Sequence, residues 1–249
     1  MMDDVIVAHE DKILRITMNR PAKKNALTGA MYKAMTDALE LADHDENIRA
    51  VLITGTDGVF TAGNDLGDFI AGTRDAQGSP AFRFITAIAQ CDTPIVAAVD
   101  GNAVGVGTTM LFHCDLVYAA PSAKFRMPFI DLGLVPEAAA SMTVPLRVGM
   151  AKASEWLLLG EAFDAHEAHR CGVINQVVPA GELIDRARQA AMRLAAKPAQ
   201  ALAATRRLMR GDRQAIRAQM GLEREAFAAA LESPEAKAAF NAFLSKAKA

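Results

Sequence analysis

Apolar residues recur along this chain with two different periods, and the switch between them predicts its elements. In "VIVAHEDKILRITM" (Val5 to Met18) β-branched runs flank a polar turn at Glu10-Asp11, which reads as two short strands. Beyond Thr28 the apolar positions Met31, Met35, Ala38 and Leu39 fall three and four apart, predicting a helix capped by that threonine. "IRAVLITG" is a third strand, followed by the loop "TDGVFTAGNDLGD". A helix with Phe82, Ile85 and Ile88 on one face leads to the strand in "TPIVAAVDG", a glycine-spaced helix start, and the strand "CDLVYAA". Strands alternating with helices predict an α/β arrangement with largely parallel pairing.

The second half changes character. Asp164 with Glu167 three residues on forms a capping box, opening a short helix that Gly172 can close, and "VINQVV" is the last convincing strand. From Glu182 onward the pattern is helical, with breakers at Pro198, Gly211 and Pro234. The division expected is an α/β core over residues 1–180 and a helical region over 181–249. No short-period repeat is visible, and no low-complexity tract beyond mild alanine enrichment.

Composition narrows the class. The 249 residues are 51% hydrophobic and 22% charged, enough for a substantial core. A net charge of -2 argues against nucleic acid as a partner, since a phosphate-tracking surface needs a basic excess. Cys91, Cys114 and Cys171 are too few and too scattered for a disulfide framework or a zinc ribbon. No stretch approaches a membrane span, and the acidic start does not resemble a signal peptide, so a cytoplasmic protein is expected.

Familiar motifs mostly fail. "GNAVGVGTTM" lacks the third glycine of a dinucleotide fingerprint, and neither a Walker A loop nor a Gly-x-Ser-x-Gly elbow occurs. "HEAH" (His166 to His169) is one residue short of the zinc-protease pattern, and capping explains Glu167, so no metal site is expected. Cys114 reads as a small buried thiol and His113 as a core histidine. Arg206, Arg210, Arg213 and Arg217 would align as a solvated basic stripe if Gly211 does not interrupt their helix.

Three stretches remain. In "GLVPEAAAS" Glu137 stands between apolar residues and alanines with no basic neighbour. Such a carboxylate belongs either on a wet surface or where proton transfer is the purpose. "FTAGNDL" and "GNAVGVG" are glycine-bearing loops, each after a strand. Glycine allows close backbone approach, and two N–H groups aimed at one point would form an oxyanion hole.

Together these motifs become recognisable. "NRPAKKNAL", "FTAGNDL", "VDGNAVGVG", "CDLVYAAPSAKF", "GLVPEAAAS", "CGVINQVVP" and "SPEAKAAFNAFLSK" occur in the order and approximate spacing of the crotonase superfamily. The chain resembles an enoyl-CoA hydratase/isomerase family member from near Val5 to near Lys246. The resemblance implies a crotonase (ClpP-like) spiral of ββα units with a C-terminal helical trimerisation region, assembled as a homotrimer or a dimer of trimers. It also implies an acyl-CoA substrate, with coenzyme A part of that substrate and no resident cofactor.

Carried over position by position, the resemblance puts the two oxyanion N–H donors on Asn64 and Val106. The family often has glycine at the second place, but a main-chain donor survives the change to valine. Lys24 and the segment Ala62, Gly63, Asp65 and Leu66 match the region that lines the coenzyme A site. Phe243 and Lys246 match a C-terminal stretch that can reach a neighbouring subunit's coenzyme A.

The departures bear on the reaction. Hydratases of the family have two glutamates where this chain has Thr109 and Phe129, so the two-carboxylate apparatus for adding water is missing. Glu137 matches the place where enoyl-CoA isomerases of the family put their single catalytic glutamate. The resemblance therefore implies a shift of the double bond from 3-enoyl-CoA to 2-enoyl-CoA. The alternatives are hydration of 2-enoyl-CoA by Glu137 alone, and a non-catalytic acyl-CoA-binding subunit.

Overall fold

The structure is a computed structural model that describes residues 3–65, 67–68 and 79–246, with side chains to residue 242. Strands β1 (Val5–Glu10) and β2 (Ile13–Met18) pair antiparallel around the Asp11 turn. Thr28 caps α1 (Gly29–His44), its hydroxyl accepting from the Met31 N–H. Then follow β3 (Ala50–Gly55), α2 (Pro80–Gln90), β4 (Ile95–Val99), β5 (Asn102–Val104), the short α3 (Val106–Thr109), β6 (Leu116–Ala119) and β7 (Lys124–Arg126). Next come α4 (Ala140–Val148), α5 (Met150–Leu158), β8 (Phe163–Asp164), α6 (Ala165–Arg170) and β9 (Gln176–Val177). Four helices complete the described chain: α7 (Ala180–Ala195), α8 (Ala199–Arg210), α9 (Arg213–Leu231) and α10 (Pro234–Lys246). Pro198, Gly211 and Pro234 sit at the junctions, as the breaker residues predict.

Two sheets result. The larger has the order β1-β2-β3-β4-β6-β9, parallel from β2 onward; the smaller has the order β5-β7-β8. Consecutive units place one strand in each sheet before turning into a helix: β4, β5 and α3, then β6, β7 and α4. The preceding unit follows the same path, with β3 in the large sheet and Thr61 bridged to Ala103 beside the small one. Each turn of this spiral ends with its strand-to-helix loop on the same side, which stacks the two glycine loops of the sequence.

Strand alternation explains why the large sheet is covered on both faces. Val51 and Ile53 of β3 face α1 and α2, whereas Ala50 and Leu52 face Leu183, Ala187 and Ala191 of α7. Three expectations need correction. On α2 the buried face is Ala81, Phe84, Ile85 and Ile88, and Phe82 turns instead edge-on to Phe227 of α9. Strand β9 keeps only two residues, because the Asn175 side chain takes the Val117 N–H where "VINQVV" would have paired. The capping box is half formed: Asp164 accepts from the Glu167 N–H, but the Glu167 carboxylate goes to Lys152.

The arginine stripe is also different from its expectation. Gly211, with φ of 69°, ends α8; Arg206, Arg210 and Arg213 turn inward while Arg217 stays exposed. Buried Arg206 forms a two-pronged ion pair with Asp115, Arg210 adds a second, and Arg213 binds Asp92. They fasten the C-terminal helices to the ends of β4 and β6. No helix among the described residues is long and apolar enough to cross a membrane.

Candidate active site

The two loops lie side by side. Thr61 N–H donates to Asn102 O at 2.8 Å, and Val104 N–H donates back to Thr61 O at 3.0 Å. Close approach demands glycine at two points. A β-carbon on Gly63, whose φ is 85°, would stand 2.7 Å from Val104 O, and one on Gly107 would stand 2.4 Å from Thr61 Cγ2.

This packing sets the direction of the two expected donors. Asn64 bridges Leu27 in parallel fashion: Leu27 N–H donates to Gly63 O and Asp65 N–H donates to Leu27 O. In that pattern the central residue's own N–H points the other way. Val106 is the first residue of α3, where an N–H has no partner within the helix. Among the described residues neither N–H donates to a backbone carbonyl. The buried hydroxyl of Tyr32, on α1, donates to Asn64 Oδ1 and holds that residue.

Glu137 follows in the loop before α4 and is buried, 5% exposed. Thr109 Oγ1 donates to its Oε1 at 2.5 Å, while Oε2 is buried without a partner among the described residues. Burial pushes its carboxyl up to about 8; Thr109 pulls it down, and the nearby Glu223 carboxylate pushes it up again. Burial, with the charge of Glu137 added to it, holds the Tyr32 hydroxyl well above the usual phenol range. Thr109, in the short helix that follows the second glycine loop, thus reaches a single buried carboxylate.

The backbone after Glu137 is strained and braced. Ala138 and Ala139 have φ of 60° and 54°, a region that L-residues other than asparagine and aspartate seldom occupy. His113 Nε2–H donates to Ala138 O at 2.7 Å, and burial drops this imidazole to about 4, so it stays neutral. From α9, Glu223 accepts from Ala139 N–H at 2.6 Å, Ser141 N–H at 2.9 Å and Ser141 Oγ at 2.5 Å. Glu223 therefore caps α4 with a carboxylate, a favourable charge at a helix start. Tyr32 and Glu223 are the site residues that the sequence did not reveal.

A cavity of about 400 Å³ opens on Glu137, bounded by Phe82 and Ile85 of α2 and by Met220 and Gly221 of α9. The coenzyme A residues of the sequence reading lie beside the first loop. Ala62 N–H donates to Lys24 O at 3.0 Å, which sets Lys24, Ala62, Gly63 and Asn64 next to one another. The Asp65 carboxylate is held by Arg20 at 2.8 Å, and that bond keeps its carboxyl below the usual range. Leu66 and the side chains of Phe243 and Lys246 lie outside the described residues. Phe129 is buried at the start of the turn 130–132. Cys114 is a buried thiol, pushed up to about 12 by burial first and by Asp115 second, so it is no nucleophile. No group of side chains among the described residues could hold a metal ion.

Comparison with known proteins adds an independent line. A family model described as "Enoyl-CoA hydratase/isomerase" matches residues 8–249. The chain is 31% identical over 250 residues to 2,3-dehydroadipyl-CoA hydratase of Escherichia coli (strain K12), covering 98% of this chain and 97% of that protein. It is 39% identical over 181 residues to enoyl-CoA delta isomerase 2 of Rattus norvegicus, covering 70% of this chain and 46% of that protein. Among solved structures, an enoyl-CoA hydratase/isomerase from Pseudoalteromonas atlantica T6c superposes with a TM-score of 0.93 at 43% identity, covering 98% of each chain.

Proposed function

The chain belongs to the enoyl-CoA hydratase/isomerase family and has the crotonase fold of its enzymes, and from that premise we propose that it is an isomerase converting 3-enoyl-CoA to 2-enoyl-CoA. The single observation that carries this reading is Glu137: a buried carboxylate with a raised pKa, one free oxygen, and a cavity in front of it. In its ionised form it takes a proton from C2 of the acyl group, leaving a dienolate whose charge spreads to the thioester oxygen. The N–H groups of Asn64 and Val106 stabilise that oxygen, and Glu137 returns the proton at C4, so the double bond moves and the proton count is unchanged.

The relatives include both hydratases and isomerases, so the preference comes from the site. Hydration in this family uses two carboxylates, and here Thr109 and Phe129 stand at those places. Among the described residues Glu223 is the other carboxylate lining the cavity, but Ala139 and Ser141 occupy its oxygens with three hydrogen bonds. Assembly as a trimer or a dimer of trimers belongs to the same proposal, and light scattering of the eluting protein tests it. Activity is tested by following the conjugated enoyl-thioester absorbance with 3-hexenoyl-CoA. The absorbance is expected to grow with the natural protein and not with Glu137→Gln. Growth unchanged in that variant would overturn the role of Glu137, and no growth at all would overturn the isomerase.

A further inference from the structure

The cavity beside Glu137 is not closed by hydrocarbon alone. Arg217 and Arg224 of α9 also line it, and Gly221 lies between them. Arg217, Met220, Gly221 and Arg224 are spaced three, one and three apart, so they share one face of the helix. The two arginines, with Phe82 and Thr86, also border a second cavity of about 370 Å³ to which Glu137 does not contribute. They line both spaces, whereas Glu137 lines only the first. Consistent with that placement, the groups that shift Glu137 are burial, Thr109 and Glu223, with neither arginine among them.

Their partners, or want of them, set these two apart. Arg206 and Arg210 are committed to Asp115, and Arg213 to Asp92. Arg217 and Arg224 make no ion pair or hydrogen bond with any described residue. Between them, a β-carbon on Gly221 would meet nothing within 4 Å. Glycine inside a helix costs about 1 kcal/mol relative to alanine, and the space over it here is open.

Building on the acyl-CoA reading above, the geometry points to an acyl group that ends in a carboxylate as the preferred substrate class, its far end held by Arg217 and Arg224. A chain that extends past Glu137 enters a space lined by Phe82, Ile85 and Met220, and the two arginines line the same space. A methyl end gains nothing there. A carboxylate gains charge-assisted, two-pronged hydrogen bonds of the kind that guanidinium makes best. Arg217 and Arg224 are thus specificity-determining residues for the distal end and take no part in proton transfer.

Calorimetry with saturated thioesters tests this without any turnover. The ligands are mono-CoA thioesters of straight-chain dicarboxylic acids and, at each length, the methyl-ended acyl-CoA. At the length that fits, the carboxylate-ended ligand is expected to bind about tenfold or more tightly, and Arg217→Gln with Arg224→Gln is expected to bring that ratio close to one. Equal or tighter binding of the methyl-ended ligand at every length overturns the proposal. So does a double variant that weakens both ligands by the same factor, which would put the arginines on the coenzyme A portion. Failure of the isomerase reading would show elsewhere, in the absorbance assay, and leaves these ratios intact.

Discussion

The Thr109 hydroxyl donates to Glu137 Oε1 at 2.5 Å, so a buried helix residue directly serves the carboxylate on which the proposed reaction depends. This bond favours the ionised form and opposes the burial that raises the Glu137 carboxyl. In Thr109→Val the apparent pKa of kcat/KM is expected to climb above the natural protein's value, with activity near neutral pH falling most. Thr109→Ser keeps the donor and is expected to restore the profile. A Val variant with an unmoved profile would contradict the assignment.

The pH profile of the natural protein follows from the same group. Because the base must be ionised and its carboxyl sits at about 8, kcat/KM is expected to rise with pH through that value and then level off. Replacement by Gln is expected to lower kcat by about 10³-fold or more while leaving thioester binding measurable.

Stability has the opposite dependence. The folded carboxyl lies above the ordinary value of 4.5, so folding binds the proton. The favourable contribution is complete below pH 4.5 and is lost as pH rises through about 8. Glu137→Gln removes this loss, and its melting temperature is expected to exceed that of the natural protein at alkaline pH. Thermal melts at acid and alkaline pH check the sign.

Glu223 holds the strained turn from the far end of the chain. Glu223→Ala frees the Ala139 and Ser141 N–H groups and is expected to cost about 3 kcal/mol of stability. Glu223→Gln keeps the shape but loses charge and one acceptor, and activity is expected to fall further than stability as Glu137 loses its position. A change in kcat with little change in KM would separate positioning from general unfolding.

Gly63→Ala probes the oxyanion loop. Its β-carbon would stand 2.7 Å from Val104 O at a φ of 85°, forcing the two loops apart. Misdirecting one donor is expected to lower kcat by about 10²-fold or more. Circular dichroism separates that effect from misfolding.

Much of this was legible locally. Thr28, the Asp11 turn and the breakers Pro198, Gly211 and Pro234 act within a few residues of themselves, so pattern alone places them. Glu137 was visible because its sequence neighbours are apolar and offer it no basic partner, although Thr109, Phe82, Ile85 and Met220, which surround it, come from elsewhere in the chain. Glu223 was not, because its partners lie more than eighty residues earlier and its own helix reads as an ordinary polar face. Tyr32 looked like one more core position between Met31 and Met35, and nothing local signals the hydroxyl's reach to Asn64. The arginine stripe misled for the same reason: Asp115 and Asp92, which pair with Arg206, Arg210 and Arg213, belong to strand ends that only the fold brings near.

The account rests on one carboxylate moving one proton between two carbons, and proton NMR of the acyl chain in heavy water tests that most directly. With 3-hexenoyl-CoA, the natural protein is expected to transfer the C2 hydrogen to C4, so that most of the 2-enoyl product carries no solvent deuterium there, and to release no 3-hydroxyacyl-CoA; Glu137→Gln is expected to form no product and to label neither C2 nor C4. Label entering at C2 or C4 in that variant, or a 3-hydroxyacyl thioester as the main product, would contradict it.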